Sequence, residues 1–184
     1  CIVEAATTKR PGTVRWAAGD VPLDQPVAFN RSWKAYNANP DVEPVTFDTR
    51  QRATNRTMTL LRFDAEDGTP IGAINWFAVH CTSVHADNVA LHSDNKGLAA
   101  AQLETRIDQT YGTEGVVAAF AQGSAGDVSP NFRYCKDRNK TVGLHDDDRD
   151  SAAFNGGVQA DVAEALFANA TPVDGPLDAA TRFL

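Results

Sequence analysis

Two stretches of this chain leave apolar runs and enter residues able to do chemistry. Asn75–Ser83 (NWFAVHCTS) breaks into His80, Cys81, Thr82 and Ser83, and Phe120–Asn131 (FAQGSAGDVSPN) breaks into Gly126, Asp127, Ser129, Pro130 and Asn131. In open α/β sheets, ligands gather just beyond the carboxyl ends of strands, where loops present polar groups over a rigid floor. A histidine at one such end and a serine at another suit a hydrolytic site, although spacing alone does not bring them together. An imidazole in that position is either a metal ligand or a core histidine bonded to a backbone carbonyl. Ser129 lies among turn-forming residues, so a plain turn is the simplest reading of its loop. The loop is not a G-x-S-x-G nucleophile elbow, and no Ser-His-Asp triad is evident. A serine hydroxyl in such a place needs a base or a metal to activate it. Arg31, taken alone, reads as a surface charge.

The elements that must position these residues are legible in outline. Thr57–Phe63 and Ile71–Val79 read as strands joined by the turn signal Asp67-Gly68-Thr69-Pro70, hence a hairpin. The second is apolar almost throughout, which implies burial on both faces and a central place in the sheet. Val116–Ala121 reads as another buried strand. Val14–Trp16 and Val27–Phe29 are open between strand and loop, and Ile2–Ala5 looks like a strand entered midway. Arg31–Pro40 reads as a helical turn stopped by proline. Asp94 is the expected N-cap of a helix over Lys96–Thr110, with Ala99, Leu103, Ile107 and Tyr111 on its buried stripe. Phe154–Ala168 reads as a second amphipathic helix, with Val158, Val162, Ala165 and Leu166 inward and Asp161 and Glu164 outward. The expected class is α/β: a mixed sheet with flanking helices, an incomplete part of a larger α/β catalytic domain.

Composition sets the bounds. The 184 residues, 42% of them hydrophobic, suffice for one domain with a real core. A formal charge of −7 argues against a nucleic-acid footprint, which needs a basic stripe. Asp146-Asp147-Asp148 and Asp150 read as a solvated loop. No apolar run approaches the ~20 residues that span a bilayer, and the first residues lack a basic-then-apolar leader. Cys1, Cys81 and Cys135 leave both a disulfide and three free thiols open. Cys81 is expected to be a small buried filler.

The runs INWFAVHCTS, SDNKG (Ser93–Gly97) and AFAQGSAGDVSPN, in that order, resemble the catalytic region of the neutral ceramidases, zinc-dependent amidases that cleave N-acylsphingosine. Asn30-Arg31-Ser32, Ala35-Tyr36, Asn39-Pro40 and Thr181–Phe183 extend the resemblance. It implies that His80 is a zinc ligand, Ser129 a catalytic residue and Arg31 an active-site arginine. It also implies one bound Zn2+, whose other ligands (a histidine before Cys1, a glutamate and a tyrosine after Leu184) are expected outside this chain. The substrate implied is ceramide, met at a membrane surface and split to sphingosine and a fatty acid. The resemblance further implies a secreted or periplasmic location, an internal segment of a catalytic domain with its remainder as partner, and an immunoglobulin-like domain beyond it. The chain alone is then expected to be inactive. His85 and His92 match no ligand of the family and are expected at the surface or behind the site; His145 is expected in solvent. Asp94 and Asp127 are structural expectations. The chain departs from the family pattern at Cys81, where proline is more frequent, and at Ser124, where asparagine is frequent. Two alternatives stay open: an N-terminal-nucleophile amidase using Cys1, and a non-catalytic fragment that keeps the fold.

Overall fold

A computed structural model of the chain describes residues 2–175. The readings of Cys1 and of Thr181–Phe183 lie outside the described residues. The first described element, α1 (Ile2–Thr7), is a short helix rather than the strand expected there. A strand needs a neighbour to take up its backbone groups, whereas a helical turn satisfies its own. Here the Thr8 amide donates to the Glu4 carbonyl at 2.9 Å, and the Thr7 hydroxyl to that of Val3 at 3.1 Å.

The sheet is built on the hairpin. β3 (Thr57–Ala65) and β4 (Pro70–Phe77) pair antiparallel, as the sequence predicts. Between them Gly68 takes φ +84°, a conformation that favours glycine, and its amide donates to the Ala65 carbonyl. β1 (Gly12–Asp20) turns Val14–Trp16 into part of a nine-residue strand paired along β3. After β4 the chain crosses over through α3 (Asp94–Tyr111) and returns as β5 (Val117–Gln122), parallel to β4. With the short β7 (Thr171–Pro172) the order is β5-β4-β3-β1-β7. The sheet is therefore mixed, and the carboxyl ends of β4 and β5 lie side by side.

Both long helices, α3 and α4 (Asp148–Asn169), cover one face of this sheet. Met58 and Leu60 of β3, Ala73 and Phe77 of β4, Leu103 and Ile107 of α3 and Phe167 of α4 form the core between. The opposite face carries an apolar row set by register: Trp16, Leu61, Ile74 and Ala119 stand opposite one another on four strands. Among the described residues no layer covers them, and Trp16 is 48% exposed. β4 is thus interior in the sheet but fully buried on one face, with Ile74 and Trp76 half-buried on the other. β5, read as a buried strand, is an edge strand whose Val117 is 66% exposed. Its alternating pattern was obscured by alanines, which fit either face.

The helices hold two further corrections. α4 begins at Asp148, six residues before the predicted start. The acidic run is its N-terminus rather than a loop: the Asp147 carboxylate caps the helix by accepting from the Arg149 and Asp150 amides, and Asp148 and Asp150 lie in the first turn. The fully buried stripe is Ala152, Asn155, Gly156, Gln159, Ala160, Ala163 and Phe167, while Val158, Val162 and Leu166 pack at its margin and Ala165 is exposed. Small side chains at the centre bring the two helices close. A Cβ on Gly156 would lie 2.6 Å from the Asn95 carbonyl oxygen. On α3, Ala99, Leu103 and Ile107 are buried as predicted; Tyr111 is exposed at the helix end, edge-on to Phe167.

Candidate active site

β4 ends at Phe77, and within three residues the chain reaches His80. Its backbone amide and its ring Nδ1 both meet the carbonyl of Val128, at 3.2 and 2.7 Å. A carbonyl only accepts, so Nδ1 carries a proton, and in the neutral ring Nε2 keeps the lone pair. Val128 belongs to β6 (Val128–Ser129), which pairs antiparallel with β2 (Phe29–Asn30), placing Ser129 opposite Phe29. β2 is what remains of the Val27–Phe29 stretch left open by the sequence. The chain leaves it directly into Arg31, whose amide donates to the Asp127 carbonyl at 2.8 Å and whose Nη2 donates to the Gly126 carbonyl at 2.9 Å. The structure thus gathers His80, Ser129 and Arg31, 98 positions apart at the extremes, around one pair of short strands beyond the ends of β4 and β5.

Bracing side chains make this cluster specific. The Asn30 amide donates to the Asp127 carboxylate at 2.6 Å and to the Ala53 carbonyl at 3.0 Å, so Asp127 braces the loop as the sequence suggests. The Ser129 hydroxyl accepts from the Asn131 amide at 3.1 Å, and the Asn131 side chain donates to the Thr82 carbonyl at 2.7 Å, tying the serine loop to the histidine loop. Arg31 and Asn131 also line an open pocket of about 260 Å³ with Trp33, Phe47, Arg50 and Phe132. Trp33 comes from α2 (Trp33–Tyr36), the single helical turn expected after Arg31.

Other candidates lie apart or serve as braces. Asp94 is not the N-cap; Ser93 holds that position and Asp94 is the first helical residue, at φ +55°. Its carboxylate accepts from the Asn95 amide of the first turn at 2.6 Å and from the amides of Ser83 and Val84, at 3.1 and 2.9 Å, and so fastens the loop after His80 to the helix start. His92 accepts from the Asp94 amide through Nδ1. His85 has both ring nitrogens against acceptors, Asp148 at 3.0 Å and the Thr141 carbonyl at 2.9 Å. Burial pushes the Asp148 carboxyl up, but hydrogen bonds from Arg138 and His85 outweigh it and hold the group well below the usual carboxylate range. His145 is exposed. Cys81 is exposed rather than a buried filler, since the turn after β4 points it outward, and its thiol is pushed up by partial burial of the sulfur. Cys81 and Cys135 are free thiols.

Sequence reasoning missed Asn95, Lys96, Asn155 and Gln159, all at most 6% exposed beneath the His80 loop. A signal was present. Asn95 shares its helix stripe with Ala99 and Leu103, and Asn155 and Gln159 stand four apart with Ala163, so each is a polar residue at a core position.

A mixed α/β layer with polar loops gathered beyond its parallel strand ends is the architecture of an α/β enzyme domain. The family model for neutral/alkaline non-lysosomal ceramidase, N-terminal, matches residues 1–184. The chain belongs to this neutral ceramidase family. It is 36% identical over 172 residues to neutral ceramidase B of Dictyostelium discoideum, covering 81% of this chain and 24% of that protein. It is 34% identical over 131 residues to the neutral ceramidase of Pseudomonas aeruginosa, covering 71% of this chain and 18% of that one. The crystal structure of neutral ceramidase from Pseudomonas aeruginosa superposes with a TM-score of 0.70 at 29% identity, covering 91% of this chain and 24% of that chain. The chain therefore spans about a quarter of the length of these relatives.

Proposed function

We propose that this chain supplies the His80, Ser129 and Arg31 part of the active site of a zinc-dependent amide hydrolase acting on N-acylsphingosine. The observation that carries the reading is the double contact of His80 with Val128. It fixes the imidazole beside Ser129 with Nε2 free to bind a metal, the backbone version of the outer partner that orients metal-bound histidines. Among the described residues no group of three or more His, Cys, Asp or Glu side chains could hold a metal ion. Zinc takes three or four donors; His80 fits as one, and the others come from polypeptide beyond these residues. When bound, zinc supplies Lewis acidity and lowers the pKa of a hydroxyl or water set against it.

The protein groups divide the remaining work. Hydrolysis breaks the amide C–N bond, water giving its hydroxyl to the acyl carbon and a proton to the departing sphingoid amine. In this reading the Ser129 hydroxyl acts on the amide carbonyl, either attacking it or orienting it for attack. Arg31, anchored through Nη2 by the Gly126 carbonyl, in the same reading offers its remaining N–H groups to the oxygen on which charge builds. The apolar and aromatic lining from Trp33, Phe47 and Phe132 suits a lipid chain next to this charge.

The test is hydrolysis of a short-chain fluorescent ceramide by the complete protein, before and after chelation. Loss of activity on chelation and its return with zinc support the reading. Unchanged activity after exhaustive metal removal contradicts zinc dependence, and absence of any sphingoid base product contradicts the substrate class.

A further inference from the structure

We propose that Gln159 and Lys96, neither of which belongs to the site itself, are positioning residues that hold the His80 and Ser129 loops in register through one buried hydrogen-bond network. The inference rests on the reading of His80 and Ser129 above. Gln159 is 0% exposed and stands at the centre of the network. Its Nε2 donates to Asn155 Oδ1 at 2.8 Å and to Asn95 Oδ1 at 3.3 Å, and its Oε1 accepts from Lys96 Nζ at 3.4 Å. Each arm ends on the backbone of a segment that feeds the site. Asn95 Nδ2 donates to the His80 carbonyl at 3.1 Å and to the Ser83 hydroxyl at 3.0 Å. Asn155 Nδ2 donates to the Val27 carbonyl at 2.8 Å, four residues before Arg31. Lys96 Nζ donates to the Phe77 carbonyl at 3.0 Å and the Ala121 carbonyl at 3.3 Å, the last turns of β4 and β5 before the two loops depart.

A purely stabilising role accounts poorly for this arrangement. The three hydrogen-bond acceptors of the Lys96 ammonium are all uncharged, and the side chain is 6% exposed. A buried cation without a counter-charge is expensive, and an apolar side chain of the same length would cost less. Burial accordingly lowers the lysine to about 8. What the ammonium does, and an apolar chain would not, is bind two strand-end carbonyls and an amide in one fixed geometry. The orientation of every amide in the network is set by its neighbour. With Gln159 donating, Asn95 presents its oxygen inward and its nitrogen to His80.

That polarity gives a substitution which separates positioning from stability. Gln159→Glu keeps the shape and gives Lys96 a carboxylate partner, but it removes the donor to Asn95 and Asn155. Asn95 must then turn its nitrogen inward and its oxygen toward the His80 carbonyl, two acceptors that repel. In the complete protein we expect the thermal midpoint of Gln159→Glu to stay at or above wild type while kcat falls by about tenfold or more, with KM within about threefold. In the complete protein freed of zinc, the 15N shifts of the His80 ring, distinct for Nδ1–H and Nε2 in wild type, should draw together. Lys96→Met should lower kcat in the same way. If Lys96→Met does not fold, Gln159→Glu alone decides. A folded Gln159→Glu with wild-type kcat and unchanged His80 shifts overturns the proposal, as does a kcat that falls only in step with lost stability. Should the wild-type protein hydrolyse no ceramide, the functional reading fails separately, and the His80 shifts in the two variants still decide the positioning role.

Discussion

At the scale of the residue, Ser129 and His80 carry different consequences. The serine hydroxyl accepts the Asn131 backbone amide and, among the described residues, holds no other protein group, so Ser129→Ala leaves the loop standing. In the complete protein this change should cut kcat by more than about 100-fold with zinc content and thermal midpoint unchanged. Activity within a factor of a few of wild type would return Ser129 to an ordinary turn. Arg31 offers a finer test, because a lysine keeps the charge and loses the planar fork. One charge-assisted hydrogen bond is worth about 1.5–3 kcal/mol, so Arg31→Lys should lose roughly 10- to 100-fold in kcat/KM on a short-chain ceramide. A change below about twofold would make it a surface arginine. That His80 and Ser129 lie in loops beyond strand ends was legible because each follows a strand-like run. Cys81 was misread because burial at a turn depends on which way the chain bends. Lys96 went unnoticed as a buried cation because its partners are two backbone carbonyls and a glutamine 63 residues away, which no local side-chain pattern announces.

At the scale of the element, the site stands on the parallel pair β4–β5 and on the close approach of α3 and α4. Gly156→Ala weighs two effects against each other. Helix propensity favours alanine by about 1 kcal/mol, but a methyl 2.6 Å from the Asn95 oxygen must push the helices apart, and overpacking costs about 1–3 kcal/mol. We expect a net loss of about 1 kcal/mol in urea unfolding, and a gain in stability would show that α4 moves freely over α3. Lys96 adds a pH dependence with a definite sign. Its pKa is about 8 when folded against 10.5 as the ordinary value, so between these limits the unfolded chain binds more protons and stability rises with pH. The stability difference between wild type and Lys96→Met should therefore shift in favour of wild type from pH 8 to pH 10, by up to about 1.4 kcal/mol per pH unit. A flat difference would mean the ammonium is solvated. The hairpin, α3 and the buried core of α3 were readable from periodicity and turn residues. The start of α4 was not, since Asp146–Asp150 has the composition of a loop and becomes a helix end through one cap. The strands β2 and β6 are two residues each and exist by pairing with one another, so local pattern carries no trace of them.

At the scale of the whole molecule, the helices shield one side of the sheet, and the row Trp16, Leu61, Ile74 and Ala119 stands on the other. An apolar face of this kind marks a contact surface or invites association. The 184-residue chain alone should bind an apolar dye such as ANS in its native state and self-associate as its concentration rises, and Trp16→Thr with Val117→Thr should reduce both. A monomer that binds no dye would show the face to be adequately solvated. The α/β class and mixed sheet were legible because the hairpin and the strand–helix alternation are local signals. The bare face was not, because a half-buried strand rich in Ile, Trp and Ala reads like one buried on both sides. The central proposal joins all three scales: that the fold holds His80 by its Nδ1 so that Nε2 binds zinc in the assembled site. Zinc per polypeptide, measured by elemental analysis of the complete protein after exhaustive dialysis, tests it most directly. Wild type should retain one zinc, His80→Ala should lose it while keeping its circular dichroism, and His85→Ala should keep it. Stoichiometric zinc retained by His80→Ala would contradict the account.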